Sequence, residues 1–280
     1  MAELEFLPPV RDVADRFGLR ARRSLGQNFL FDDNLLDRIA RAAGDLSATE
    51  VVEVGPGPGG LTRALLRAGS PHVIAVEKDA RCIAALQELI MAARGRLDVV
   101  EADALEVELA GLTATAPVIA GNLPFNAATE ILMRLLDRAE RVKAMVLMFQ
   151  REVGDRIAAA PGSKDYGRLS VMVQWRCAVE RCFEVPARAF VPPPKVHAVV
   201  LRLTPRAAPL FPADATALRQ VLAAAFGQRR KTLRNAMSTL AEDPAGLLEA
   251  AGIDPGLRAE RLTIEQFCAL ARAWTSRERN

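Results

Sequence analysis

The 280-residue sequence predicts an α/β fold, a mostly parallel sheet covered by helices, with a small all-α domain at its C-terminal end. Three observations predict it. Short aliphatic runs alternate with helically spaced segments as far as Phe149. Val-rich runs follow, and then a proline-bearing break between Thr204 and Pro212. Beyond that break every segment has helical spacing.

The elements follow in order. Asp32–Ala43 reads as a short amphipathic helix with Leu35, Leu36, Ile39 and Ala40 on one face. Strand candidates are Val51–Val54, Val73–Val76, Leu97–Val100, Val118–Ala120 and Ala144–Phe149. Gly60–Ala68, Asp79–Ala93 and Ala127–Leu136 are the helices between them, the βαβ pattern of a parallel sheet. Leu169–Val179 and Val196–Leu203 read as late strands, suited to an antiparallel edge. Ala215–Phe226, Arg229–Leu240, Pro244–Ala251 and Ile264–Trp274 are the C-terminal helices. The predicted domains are therefore 1–206 and 207–280.

Composition excludes several classes. No run reaches the roughly 18–20 apolar residues of a membrane-spanning helix, so no membrane partner is expected. The start, Met1-Ala2-Glu3-Leu4-Glu5, lacks a basic, apolar signal segment, which predicts a cytoplasmic protein. Cys82, Cys177, Cys182 and Cys268 have no metal-ligand spacing, and His72 and His197 are the only histidines. No metal site, disulfide framework or His-based triad is expected. Net charge is only +3, but Ala215–Ala241 carries no acid alongside Arg219, Arg229, Arg230, Lys231 and Arg234. Arg20, Arg22 and Arg23 form a second basic knot. Such clusters fit phosphate contact, with a solvated helix face as the alternative.

The candidate site begins where Val51–Val54 runs into Gly55-Pro56-Gly57-Pro58-Gly59-Gly60. Glycines at a strand-to-helix turn permit positive φ and close approach of a ligand to the backbone. Glu77 ends the next strand, where a carboxylate can accept from both ribose hydroxyls, and Asp103 follows the third. Gly55, Gly57 and Gly60 also satisfy G-x-G-x-x-G, so the pattern alone leaves a dinucleotide site open. Two prolines inside the loop remove amide donors that a pyrophosphate would use. They favour a phosphate-free ligand such as S-adenosylmethionine.

Another strand ends in Asn122-Leu123-Pro124-Phe125. The Asn amide oxygen and a backbone carbonyl can accept both hydrogens of an exocyclic amine. Pro124 stiffens the turn, and Phe125 offers a face for a base, a contact worth about 1–3 kcal/mol. Accepting both hydrogens favours a pyramidal nitrogen whose lone pair can attack a methyl group, with no strong general base required.

Ser24–Leu30 (SLGQNFL), the glycine loop, Asn122–Phe125, Phe190–Val196 (FVPPPKV), Phe226–Asn235 (FGQRRKTLRN) and Arg258–Thr263 (RAERLT) occur in order. Together they resemble the KsgA/RsmA-type ribosomal RNA adenine N6,N6-dimethyltransferases, from about residue 20 to 270. The resemblance implies a Rossmann-like S-adenosylmethionine-dependent methyltransferase domain with a small helical domain. It implies methylation of two adjacent adenosines near the 3′ end of 16S ribosomal RNA in the 30S subunit or its precursor, late in assembly, by a monomer. Arg258–Thr263 matches this subgroup better than the large-subunit enzymes that confer macrolide resistance.

Carried over by motif, Asn28, Leu30, Gly55 and Gly57 lie against the cofactor, with Glu77 on its ribose and Asp103 on its adenine amine. Asn122 stands between cofactor and target, with Leu123 and Pro124 completing the catalytic turn. Phe190 faces Phe125 across the target base, with a core aromatic as the rival reading. Arg22, Arg23, Arg229, Arg230, Lys231 and Arg234 are the RNA-contact candidates. The chain departs from the family pattern at Phe125, where Tyr is frequent, and at His197-Ala198, where Asp-Ser is common.

Overall fold

The computed structural model describes residues 2–20 and 26–278. Two short helices, α1 (Ala2–Glu5) and α2 (Val10–Arg16), precede a two-residue strand, β1 (Phe29–Leu30). Then come α3 (Asp33–Ala42), β2 (Val51–Val54), α4 (Gly60–Arg67), β3 (Val73–Glu77), α5 (Ala80–Ala85), α6 (Gln87–Ala93), β4 (Leu97–Glu101), β5 (Val118–Asn122), α7 (Ala128–Asp137) and β6 (Ala144–Gln150). The chain continues through α8 (Arg151–Ile157), α9 (Arg168–Arg176), β7 (Cys177–Val185), β8 (Phe190–Val191) and β9 (Ala198–Pro205). It closes with α10 (Ala215–Gly227), α11 (Leu233–Met237), α12 (Pro244–Ala250) and α13 (Ile264–Glu278).

Among the described residues the main sheet has the strand order β4-β3-β2-β5-β6-β9-β7. The pairs from β4 to β6 are parallel, and β9 runs antiparallel to β6, with Leu147 opposite Leu201. All four residues of β2 and all five of β3 are buried, as expected of parallel strands covered on both faces. The strand order reverses between β2 and β5, so a crevice opens beyond their carboxyl ends. A separate ribbon pairs β1 with β8 antiparallel, Leu30 opposite Phe190.

Local chemistry fixes the helix starts. Asp32 caps α3 by accepting from the Leu35 amide at 3.1 Å, and Leu36, Ile39 and Ala40 form its buried stripe. Asp79 caps α5 in the same way through the Arg81 amide. Gly59 enters α4 at φ +90, and a Cβ there would stand 2.8 Å from Leu86 Cδ2. Only glycine fits both demands.

The chain divides into two compact units: Met1–Gly154 with Glu180–Pro205, and Asp155–Val179 with Arg206–Asn280. Asp155–Val179, placed by sequence in domain 1–206, thus belongs to the second unit. There Trp175 Nε1 donates to Phe211 O at 2.7 Å and the Arg206 amide donates to Arg176 O.

Two element assignments are corrected. Leu169–Val179 is not one strand, since Arg168–Arg176 is helix and the strand starts at Cys177. The Gly167 amide donates to Ser170 Oγ at 3.0 Å, closing the first turn, and Ser170, Val171, Met172, Val173 and Trp175 are all buried. A helix buried nearly all round loses its amphipathic period and is indistinguishable by pattern from a buried strand. Arg229–Leu240 is not one helix either, because residues 228–232 form a turn before α11. The amides of Leu233 and Arg234 donate to Leu257 O and Pro255 O, outside any helix ladder.

Candidate active site

Beyond the carboxyl ends of β2, β3, β4 and β5 lies a cleft of about 980 Å³, counting its open mouth. Asn28, Leu30, Gly55, Gly57, Glu77, Asp103, Asn122, Leu123, Pro124 and Phe125 all line it. These ten sequence-predicted residues are therefore brought together within the first unit.

From Gly55 to Gly59 the glycine loop has used up its amides. Gly55 N–H donates to Val76 O at 2.9 Å, Gly57 N–H to Glu77 Oε2 at 3.2 Å, and Gly59 N–H to Pro56 O at 3.0 Å. Pro56 and Pro58 have none to give. A pyrophosphate needs a nest of free amides, and from Gly55 to Gly59 the loop presents none. Between Gly55 and Gly59, therefore, a dinucleotide would find no amide for its pyrophosphate, and only the first-turn amides of α4, from Gly60 onward, could serve it. A Cβ at Gly55 would meet nothing within 4 Å, so the cleft is open along this backbone to a ligand that lacks phosphates.

Glu77 sits at the end of β3, buried, with Oε1 accepting from the Lys78 and Asp79 amides at 2.9 Å each. Burial pushes its carboxyl up, and the amides of Asp79, Gly57 and Lys78 pull it back. A carboxylate has about four acceptor positions, so Oε2 keeps capacity for a ribose hydroxyl beside Gly57. Asp103 Oδ1 closes a turn by accepting from the Leu105 amide at 2.9 Å, and Oδ2 pairs with Lys78 Nζ at 3.0 Å. The Leu105 amide, with Lys78 behind it, holds Asp103 below the usual carboxylate range. An ionised Asp103 is suited to accept from an adenine amine.

Asn122 ends β5, next to Gly121, whose absent side chain lets the strand close on β2; a Cβ there would lie 2.7 Å from Val54 O. Its Nδ2 donates to the Asn28 carbonyl at 2.9 Å. A carbonyl can only accept, so the amino end is fixed there, and Oδ1 has no partner among the described residues. Leu123 is buried, Pro124 O accepts from the Ala127 and Ala128 amides to start α7, and Phe125 is half-buried against the core. The turn is thus rigid on its inner side, with an acceptor oxygen and an aromatic ring at the cleft.

Phe190 does not join them. It is 1% exposed, packed in the core, and its backbone pairs with Leu30 in the ribbon. The rival reading, a core aromatic, describes its position here. Arg22 and Arg23 lie outside the described residues. Arg230, Lys231 and Arg234 are exposed. Arg229 instead donates through Nη2 to the carbonyls of Lys164 and Tyr166, the second at 3.0 Å, so its guanidinium ties down a loop.

Sequence reasoning missed Glu53. It is 1% exposed in β2, lines the cleft, and accepts from Thr62 Oγ1 at 2.6 Å. Burial pushes its carboxyl up to about 8, with Thr62 opposing and Glu77 adding to the shift. The available signal was an acid inside a four-residue strand that is otherwise all valine.

Residues 18–275 match the family model described as ribosomal RNA adenine dimethylase. The chain is 54% identical over 267 residues to ribosomal RNA small subunit methyltransferase A of Rhodospirillum rubrum, covering 95% of this chain and 92% of that protein. It is 55% identical to the protein of the same name from Paramagnetospirillum magneticum, covering 97% and 96%. Among solved structures, a dimethyladenosine transferase from Plasmodium falciparum superposes with a TM-score of 0.76 at 25% identity, covering 89% of this chain and 98% of that one. The 23S rRNA methyltransferase ErmE gives 0.67 at 26% identity, covering 89% and 100%. The amide-poor glycine loop, the acids at successive strand ends and the match over 18–275 lead to one conclusion: the chain belongs to the ribosomal RNA adenine dimethylase family and is an S-adenosylmethionine-dependent methyltransferase.

Proposed function

We propose that this chain dimethylates N6 of two adjacent adenosines near the 3′ end of 16S ribosomal RNA, in the 30S subunit or its precursor. The observation that carries the chemistry is Asn122, anchored through Nδ2 on Asn28 O, with Oδ1 left to accept. Identity of 54–55% to small-subunit methyltransferases supports the substrate over the large-subunit alternative, represented by ErmE at 26%.

When bound, S-adenosylmethionine supplies an electrophilic methyl group with a good leaving group already in place. The protein's work is positional. Glu77 receives the ribose and Asp103 the adenine amine, while Asn28, Leu30, Gly55 and Gly57 wall the cofactor. Asn122 Oδ1 accepts one hydrogen of the target N6 amine, and a backbone carbonyl of the same turn accepts the other. That geometry favours a pyramidal nitrogen with its lone pair directed at the methyl, an interaction strongest in the transition state. Phe125 stacks on the extruded base. Neither His72 nor His197 lines the cleft.

The second unit, Asp155–Val179 with Arg206–Asn280, is the RNA-substrate domain in this reading, with Arg230, Lys231 and Arg234 on phosphates and Arg22 and Arg23 as a second contact. We place the protein in the cytoplasm as a monomer. No helix among the described residues is long and apolar enough to cross a membrane. The deciding experiment incubates the protein with labelled S-adenosylmethionine and undermethylated 30S subunits, then maps the modified nucleotides. Two adjacent dimethyladenosines near the 16S 3′ end support the reading. Labelling of 23S RNA alone, or cofactor binding without transfer, contradicts it.

A further inference from the structure

The segment Gly26–Phe29 lines the cleft and is fastened to both of its sides. Gly26 has φ +64 and lies against Asn126 and the Phe125 amide. Gln27 Nε2 donates to Asp79 Oδ2 at 2.9 Å. Asn28 O accepts from Asn122 Nδ2 at 2.9 Å. Phe29 packs its ring over Gly57, 3.1 Å from where a Cβ would stand.

Asp79 is a firm anchor. It is buried, its Oδ1 accepts from the Arg81 amide and Nε, and its Oδ2 accepts from Arg81 Nη2 at 2.6 Å. Arg81, together with Gln27, holds its carboxyl down at about 2, so the acceptor stays ionised. The Asp79 amide also donates to Glu77 Oε1, so the same turn carries the ribose acid and the anchor.

The anchor matters because of the adjacent carbonyl. The terminal torsion of an Asn side chain is broad and roughly two-fold, so nothing within Asn122 itself decides which end of the amide faces the cleft. Turned the other way, Asn122 would present N–H to an amine that also carries N–H, and acceptance would become repulsion. The Asn28 carbonyl removes that choice, and its position is fixed one residue away by Gln27.

We infer that Gln27 is a positioning residue for methyl transfer: by holding its segment on Asp79 it sets the Asn28 carbonyl, which orients the Asn122 amide toward the target amine. This inference rests on the proposed role of Asn122.

A double-mutant cycle tests it. Single-turnover methyl transfer to undermethylated 30S subunits is measured at saturating S-adenosylmethionine for the parent, Gln27→Ala, Asn122→Ala and the double variant, alongside cofactor affinity and melting temperature. The expected result is a loss of about tenfold or more for Gln27→Ala, with cofactor affinity changed less than about threefold, and no further loss in the Asn122→Ala background. Gln27→Glu, which sets two carboxylates together, should lose rate, and combining it with Asp79→Asn should restore part of it. That rescue reads the contact itself even where Gln27→Ala folds poorly. A slow Asn122→Ala beside a parental Gln27→Ala overturns this inference alone, as does an equal loss from Gln27→Ala in both backgrounds. A parental rate for Asn122→Ala overturns the reading of Asn122 and this inference with it.

Discussion

The Gly57 amide donates to Glu77 Oε2 at 3.2 Å, joining the glycine loop to the acid that ends the neighbouring strand. This bond takes up one of the loop's few remaining donors and fixes the carboxylate at the cleft wall. In the proposed reading it also preorganises the carboxylate that receives the ribose.

Glu77→Ala should weaken S-adenosylmethionine binding by roughly 1–3 kcal/mol, the scale of a hydrogen bond to a charged group. Calorimetry on the folded variant checks this. Unchanged affinity would remove Glu77 from the cofactor site.

Glu53 should make stability pH-dependent. Its carboxyl rises from 4.5 to about 8 in the fold, so between these values the native state binds more protons than the unfolded chain. Stability then falls as pH rises from about 4.5 to about 8 and levels off above. Glu53→Gln keeps the shape without the titration, so it should unfold at higher denaturant than the parent at pH 8, with the gap closing toward pH 4.5. Parallel stability curves for the two proteins would refute the assignment.

The basic turn should separate into two behaviours. Replacing Arg230, Lys231 and Arg234 with Ala should lower RNA affinity and reduce the salt slope by roughly 0.7–0.9 per lost phosphate contact. Arg229→Ala should instead lower the melting temperature and leave the slope nearly unchanged, because its guanidinium holds the Lys164 and Tyr166 carbonyls. Filter binding at several salt concentrations distinguishes the two outcomes.

What the sequence revealed and what it concealed divide along physical lines. Strands β2 to β6 were legible because buried parallel strands are short aliphatic runs, and Glu77, Asp103 and Asn122 because they stand where such runs stop. Helix α9 was concealed by burial on nearly every side. Phe190 could not be placed because a stacking ring and a core ring are the same residue type. Gln27 and Asp79 are 52 residues apart, and Arg229 reaches carbonyls more than 60 residues earlier; only the folded chain shows these contacts.

The central claim is that Asn122 Oδ1 accepts from the target amine most strongly in the transition state. The most direct measurement is single-turnover methyl transfer by Asn122→Ala on undermethylated 30S subunits at saturating cofactor, with RNA affinity determined in parallel. The predicted result is a loss on the order of a hundredfold or more in rate, with RNA affinity nearly preserved. Transfer at the parent rate would contradict the account.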